Sequence, residues 1–260
     1  MDRRIKERRR ALRQDRGRNR LLWLGVVGMV CAAVACWVWL RSSHELVVTS
    51  VIAPDTQRVA AADIRTALDG AVGVNLLRVR TDSLAGKLRS IPYVREAHVY
   101  RRFPNSLEVR VVEYVPFGRI RDGSGEEWLV SAEGRVLERM APGSERPAGP
   151  AMVPQQEMRP EAGQMLPGIF HGGLELLALL NGSEYWTATH PVSTLAVDAE
   201  GRLTMVLGRG AEVRLGDAVD LEVKLRVAEQ VVSTWLASGR SLQYVDVQAW
   251  ERPVVMPRSD

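Results

Sequence analysis

Four histidines (His44, His98, His171 and His190) and two cysteines (Cys31 and Cys36) are the side chains best suited to bind a metal or act as a nucleophile. Their spacing supports neither role. No His-Glu-x-x-His occurs, and no histidine has a partner at metal-ligand spacing. His98 falls in an expected strand and reads as a sheet residue. His171-Gly172-Gly173 has the composition of an oxyanion-hole loop, but no Gly-x-Ser-x-Gly elbow supplies the nucleophile. Gly208-Arg209-Gly210 lacks the third glycine of a dinucleotide fingerprint and reads as a hairpin turn. A phosphate-binding Gly-x-x-x-x-Gly-Lys is absent. Asp217 and Asp220 read as a helix cap and its first turn rather than as an acid/base pair. Asn181-Gly182-Ser183 matches a glycosylation sequon. The expectation is no catalytic residue, no cofactor, no metal and no small-molecule substrate, which leaves binding as the chemistry to look for.

The strongest binding pattern is near the C-terminus. Ser241–Glu251 alternates like a strand, with Leu242, Tyr244, Asp246, Gln248 and Trp250 on one face and Gln243, Val245, Val247 and Ala249 on the other. Pro253 marks its end. A strand that closes a sheet presents unpaired N–H and C=O groups to which a partner strand can add. Tyr244 and Trp250 are the aromatic anchors such surfaces favour.

Composition bounds the elements that must position this strand. Of 260 residues, 46% are hydrophobic and 25% charged, which excludes a wholly disordered, a collagen-like or a polytopic membrane chain. The formal charge is +4, yet residues 1–20 hold ten Lys and Arg against Asp2, Glu7 and Asp15. They carry +7, and the rest of the chain sums to −3. Leu21–Leu40 follows without a charge, and as a helix it is long enough to span the roughly 30 Å hydrocarbon core. Trp23 lies near one end, and Trp37 and Trp39 near the other, where indoles favour the interfaces. Both cysteines lie in this segment, so the remainder has no disulfide and no thiol nucleophile. Only Arg41 and Arg58 follow within twenty residues, so the positive-inside rule places the N-terminus in the cytoplasm and residues 41–260 outside. A nucleic-acid-binding arm is disfavoured because no aromatics interleave the basic residues. Ala33-Val34-Ala35 fits a signal-peptidase site, and the following Cys36 a lipoprotein site. The apolar run, however, exceeds a signal h-region of about 7–15 residues.

Beyond the segment, residues 46–115 read as β-α-α-β-β. Leu46–Ile52 is a strand, and Ala60–Leu68 a helix with Ile64 and Leu68 on one face. A second helix is capped at Thr81 or Asp82, with Leu84, Leu88 and Ile91 as its stripe. Strands follow over Tyr93–Phe103 and Leu107–Tyr114. Residues 116–251 read as mostly strand: a hairpin of Trp128–Val130 and Arg135–Arg139, a helix over Leu174–Leu180, and strands at 192–198, 202–207 and 211–215. A helix follows from the Asp217 cap to about Ser238. Residues 141–168, with six Pro and four Gly, read as a long surface loop. Residues 252–260 read as a tail. The fold class is therefore α+β: an N-terminal transmembrane helix, a β-α-α-β-β domain and a mostly antiparallel β domain with flanking helices.

Three stretches stand out together. The first is Ile91-Pro92-Tyr93-Val94-Arg95-Glu96-Ala97-His98-Val99 with Arg101, Pro104, Ser106-Leu107-Glu108-Val109, Glu113 and Pro116. The second is Trp128-Leu129-Val130 with Gly134-Arg135-Val136-Leu137. The third is Val213-Arg214-Leu215-Gly216, Lys224-Leu225 and Tyr244-Val245-Asp246-Val247. In this order and spacing they resemble the bacterial cell-division FtsQ/DivIB family, the first being similar to the end of its POTRA domain. Tyr93 stands where Trp is common, and Ser131 where Asp is common. The resemblance implies a non-enzymatic, single-pass inner-membrane scaffold concentrated at the division septum, with FtsB- and FtsL-type partners bound outside the membrane. It implies Tyr244, Val245, Asp246, Val247, Gln248, Ala249 and Trp250, with Val254 and Val255, as the partner edge. Arg202 and Arg214 would pair with acidic groups of that partner. The alternative is a POTRA-bearing export or outer-membrane assembly factor, which would need many alternating strands of about ten residues for a barrel.

Overall fold

The computed structural model describes residues 23–39, 44–208 and 210–258. Residues 23–39 form a helix, α1, whose side chains are exposed throughout. Trp23, Trp37 and Trp39 lie on it, while Leu21 and Leu40 lie outside the described residues. Among the described residues no helix is long and apolar enough to cross a membrane.

The described chain divides into two compact units: residues up to Lys87 with Ala97–Arg110, and Leu88–Glu96 with Val111 onward. The three-stranded sheet that begins in the first has the order β1-β3-β2, from β1 (Ser50–Ile52), β2 (Val94–Arg102) and β3 (Ser106–Glu113). Its helices are α2 (Ala61–Leu68) and α3 (Thr81–Arg89). Ile64 and Leu68 are fully buried, as their four-residue spacing requires. On α3 Leu88 is fully buried and Leu84 buried, whereas Ile91, expected on the same stripe, lies beyond the helix and is half-buried. The expected strand over Leu46–Ile52 is shorter. His44–Leu46 is a 3₁₀ turn, and Val47 and Val48 instead bond the backbone of 73–75.

The second unit is built on nine strands in the order β12-β11-β10-β9-β8-β7-β4-β5-β6. They are β4 (Pro116–Arg121), β5 (Glu127–Ser131), β6 (Val136–Arg139), β7 (Ala151–Pro154), β8 (Val192–Val197), β9 (Leu203–Leu207), β10 (Glu212–Gly216), β11 (Leu242–Asp246) and β12 (Val254–Pro257). Helix α4 (His171–Asn181) links β7 to β8, and α5 (Leu221–Ala237) links β10 to β11. Each of these pairs is parallel because a helical crossover returns the chain to the starting end of the sheet, whereas tight turns make antiparallel neighbours. Leu174, Leu176 and Leu180 of α4 and Leu221, Leu225, Ala228 and Val232 of α5 share one core with the inward side chains of the strands. The mixed α+β class and the mostly antiparallel large sheet agree with the sequence reading.

The structure also corrects the sequence reading in the second unit. Residues 141–168 are not all loop, because β7 lies mid-sheet between β4 and β8, with Ala151 and Met152 fully buried. The closing strand stops at Asp246, and residues 248–252 turn. The segment 252–260 is not simply a tail, because Val254–Pro257 forms β12. Finally, Asp217 does not cap α5. Asp220 precedes the helix with φ 53° and makes no side-chain cap.

Candidate functional site

Strand β11 forms because Leu242 and Val245, with Val247 just beyond it, supply apolar side chains to the core, and α5 delivers the chain parallel to β10. Its phase differs from simple alternation. The register with β12 shifts between Leu242 and Tyr244, a bulge. A bulge adds one residue to one strand, so inward and outward positions exchange across it. Leu242 therefore points inward, not onto the face of Tyr244. Beyond Asp246 the chain has left the sheet, so Gln248 and Trp250 are exposed turn residues rather than strand positions.

The expected edge is also displaced. The outer side of β11 is covered by antiparallel β12, with Tyr244 opposite Met256, Val245 opposite Val255 and Asp246 opposite Val254. The terminal strand of the sheet is β12. Val255 packs against the core, while Val254 and Met256 are exposed. The outward face continues inward from the edge by register. Met256, Tyr244, Glu212, Val206 and Thr194 form one row, and Val254, Asp246, Arg214, Thr204 and Ala196 the next. Met256 and Glu212 were missed by the sequence reading. The apolar run Val254-Val255-Met256 was the available signal for Met256.

The two candidate arginines come together. A depression of about 150 Å³ is lined by Arg202, Arg214, Gln155, Asp198 and Gln248, among others. Neither guanidinium is free. Arg214 donates to Glu212 at 2.9 Å and lies over the Tyr244 ring, 4.0 Å from its centroid. Arg202, which precedes β9 rather than lying on it, donates to Asp198 at 2.6 Å and to Glu200 at 3.1 Å. Burial acts to raise the Asp198 carboxyl, but hydrogen bonds from Arg202 and from the Arg202 and Glu200 amides outweigh it and hold the carboxyl below its ordinary value. An acidic partner group would have to share these arginines with the chain's own carboxylates.

Gly216 closes β10 with φ 70°, where a Cβ would lie 2.7 Å from Gln248 Cγ. Glycine there lets the turn after β11 lie against β10. His171-Gly172-Gly173 has a packing role. It opens α4, where a Cβ on Gly172 would collide with Ala218 and one on Gly173 would lie 3.1 Å from Met152 Sδ. His98 is exposed on β2, and His190 ends a π turn beside Tyr185. Among the described residues no group of three or more His, Cys, Asp or Glu could hold a metal ion.

Residues 50–114 match the POTRA domain, FtsQ-type, and residues 118–248 match the C-terminal region of the cell division protein FtsQ/DivIB. The chain belongs to the FtsQ/DivIB family. Its relatives include proteins named Cell division protein FtsQ. One from Anaeromyxobacter sp. (strain K) is 31% identical over 181 residues, covering 70% of this chain and 60% of that relative. One from Syntrophotalea carbinolica is 25% identical over 260 residues, covering 97% of this chain and 90% of the relative. One from Myxococcus fulvus is 26% identical over 236 residues, covering 89% and 80%. In this FtsQ/DivIB chain Arg214 and Tyr244 lie inside the FtsQ/DivIB C-terminal match, Tyr244 near its end, and β12 lies just beyond it.

Proposed function

We propose that this chain is a non-enzymatic, single-pass membrane scaffold of the divisome. It holds FtsB- and FtsL-type partners outside the membrane and so helps recruit and control septal peptidoglycan synthesis. In this reading residues 1–20 are a cytoplasmic tail, 21–40 the span, 46–115 the POTRA domain and 116–251 the β domain. The protein sits in the inner membrane with both domains outside, concentrated at the septum. The observation that carries the partner site is β12, which among the described residues is a terminal strand with one unpaired side. A partner strand adding there gains main-chain hydrogen bonds, and Val254, Met256, Tyr244 and Trp250 supply the apolar contacts. Val245 and Val247 are core positions, so they support the edge without touching a partner.

The test is co-purification of the detergent-solubilised full chain with FtsB- and FtsL-type proteins of the same organism. Removing residues 254–260 should abolish capture. Tyr244→Ala should weaken it by roughly tenfold, the loss of one hot-spot aromatic. Capture undiminished by both changes, with circular dichroism unaltered, would overturn the edge assignment.

A further inference from the structure

The POTRA unit carries a second surface that the partner edge does not use. A cleft of about 670 Å³ is lined by Leu77, Arg78, Val79, Arg80, Thr81, Asp82, Ser83 and Arg101. Three guanidinium groups face a single carboxylate, Asp82, leaving a formal +2. Arg78 and Arg80 are exposed, and among the described residues neither pairs with a carboxylate. Arg101 is the fixed wall. Its Nε donates to the Leu76 carbonyl at 3.0 Å and its Nη2 to the Val79 carbonyl at 2.7 Å. The Thr81 and Ser83 hydroxyls add neutral donors.

The backbone ties this cleft to the start of the POTRA unit. Leu76 N–H donates to the Leu46 carbonyl at 2.7 Å, Val47 bridges Asn75, and Val48 N–H donates to Val74 O at 2.9 Å. Leu46 follows Leu40 by six residues, so even a fully extended link reaches only about 20 Å. Arg78 and Arg80 come two and four residues after Leu76. Any membrane that holds residues 21–40 therefore lies within about 20 Å of Leu46, and a link that is not fully extended brings the cleft nearer to it. An anionic leaflet attracts basic groups within about a Debye length, some 8–10 Å.

We infer that Arg78, Arg80 and Arg101 form a docking cleft for the headgroups of anionic phospholipids, which holds the POTRA unit down on the membrane surface. Guanidinium groups suit phosphate oxygens through paired N–H donors. The inference rests on the reading of residues 21–40 as a span. It deepens that reading, because the orientation of the POTRA unit would then depend on lipid composition.

The experiment uses the full chain with Cys31→Ala and Cys36→Ala, and with Gly86→Cys, an exposed α3 position outside the cleft lining with open space around it, carrying a bimane fluorophore. The protein is reconstituted into phosphatidylcholine vesicles with or without phosphatidylglycerol, each containing a headgroup spin-labelled lipid as quencher. Insertion is scored separately as resistance to alkaline extraction. Stronger quenching on the anionic vesicles, reduced by added salt, is the expected result. Arg78→Gln with Arg80→Gln should lower the docked-to-undocked ratio about 25-fold, at roughly fivefold per arginine, and Arg78→Glu with Arg80→Glu should lower it further. Protein that resists extraction but shows equal quenching on both vesicles and in all variants overturns the lipid cleft alone. That result would leave an acidic protein segment as the occupant. Protein removed by alkali overturns the spanning reading and the cleft with it.

Discussion

A buried lysine normally shifts to its neutral form or finds a carboxylate. Lys224, on the first turn of α5, is 3% exposed, and its ammonium donates to the Asp217 carboxylate at 2.5 Å and to the Asp217 carbonyl at 2.9 Å. The Lys224 hydrogen bond is the main force holding the Asp217 carboxyl below its ordinary value, with burial opposing it. Asp217→Asn leaves a buried ammonium without its counter-charge and should cost about 1–2 kcal/mol in urea denaturation, because the pair opens to solvent on the Asp217 side. Lys224→Met, which removes the buried charge, should be close to neutral. The pH dependence follows from the direction of the shift. The unfolded carboxyl takes up its proton first as pH falls, so the contribution is complete above about 3.8 and is lost as pH drops through the lower folded value. Asp217→Asn should accordingly flatten the acid limb of the stability curve. None of this pairing was legible in the sequence, where Asp217 has the look of a helix cap. The cap position went to Asp220, and the pairing is a tertiary consequence of burying Lys224.

At the scale of elements, what was legible were the stretches with a strong period. Ile64 and Leu68, the Leu84–Leu88 stripe and the alternation of Leu107 and Val109 each match the buried set. β7 escaped because it has four residues, buries adjacent side chains on both faces, and is bracketed by Pro150 and Pro154. A strand covered on both sides shows no alternation, and its prolines read as loop. Pro154 is tolerated because β4 pairs only with Ala151 and Met152. The candidate edge was half legible. Tyr244, Val254 and Arg214 have the right chemistry, but the rank of β12 outside β11 is a property of sheet order, which no local pattern encodes. The bulge is the decisive detail and can be checked directly. Leu242, 4% exposed, should lose about 2–4 kcal/mol on substitution by alanine. Its exposed neighbour Gln243 should stay within about 0.5 kcal/mol. Unbroken alternation would put Leu242 on the outward face of Tyr244 and Gln243 on the core face of Val245, so that Leu242→Ala would be mild, and thermal melts of the two variants separate the cases.

For the molecule as a whole, charge does what packing cannot. The first twenty residues carry +7 and the remainder −3, an imbalance too large to be a by-product of folding and set at one end of an uncharged twenty-residue run. If that run spans, the work of moving basic residues across the inner membrane fixes which side keeps the tail. Alkaline phosphatase fused after Asp260 should be active in living cells, and green fluorescent protein at the same point should stay dark. The asymmetry also predicts graded failure. Replacing Arg8, Arg9, Arg10 and Arg13 with glutamine leaves six Lys and Arg before the run against Arg41 and Arg58 beyond it, so most chains should keep their orientation. Adding lysines at Ser42, Ser43 and Thr49 to that variant narrows the bias to six against five and should yield a mixed population with measurable fluorescence. Orientation insensitive to both sets of changes would mean that the folded units, not the flanking charge, decide the topology. The basic tail would then need another role.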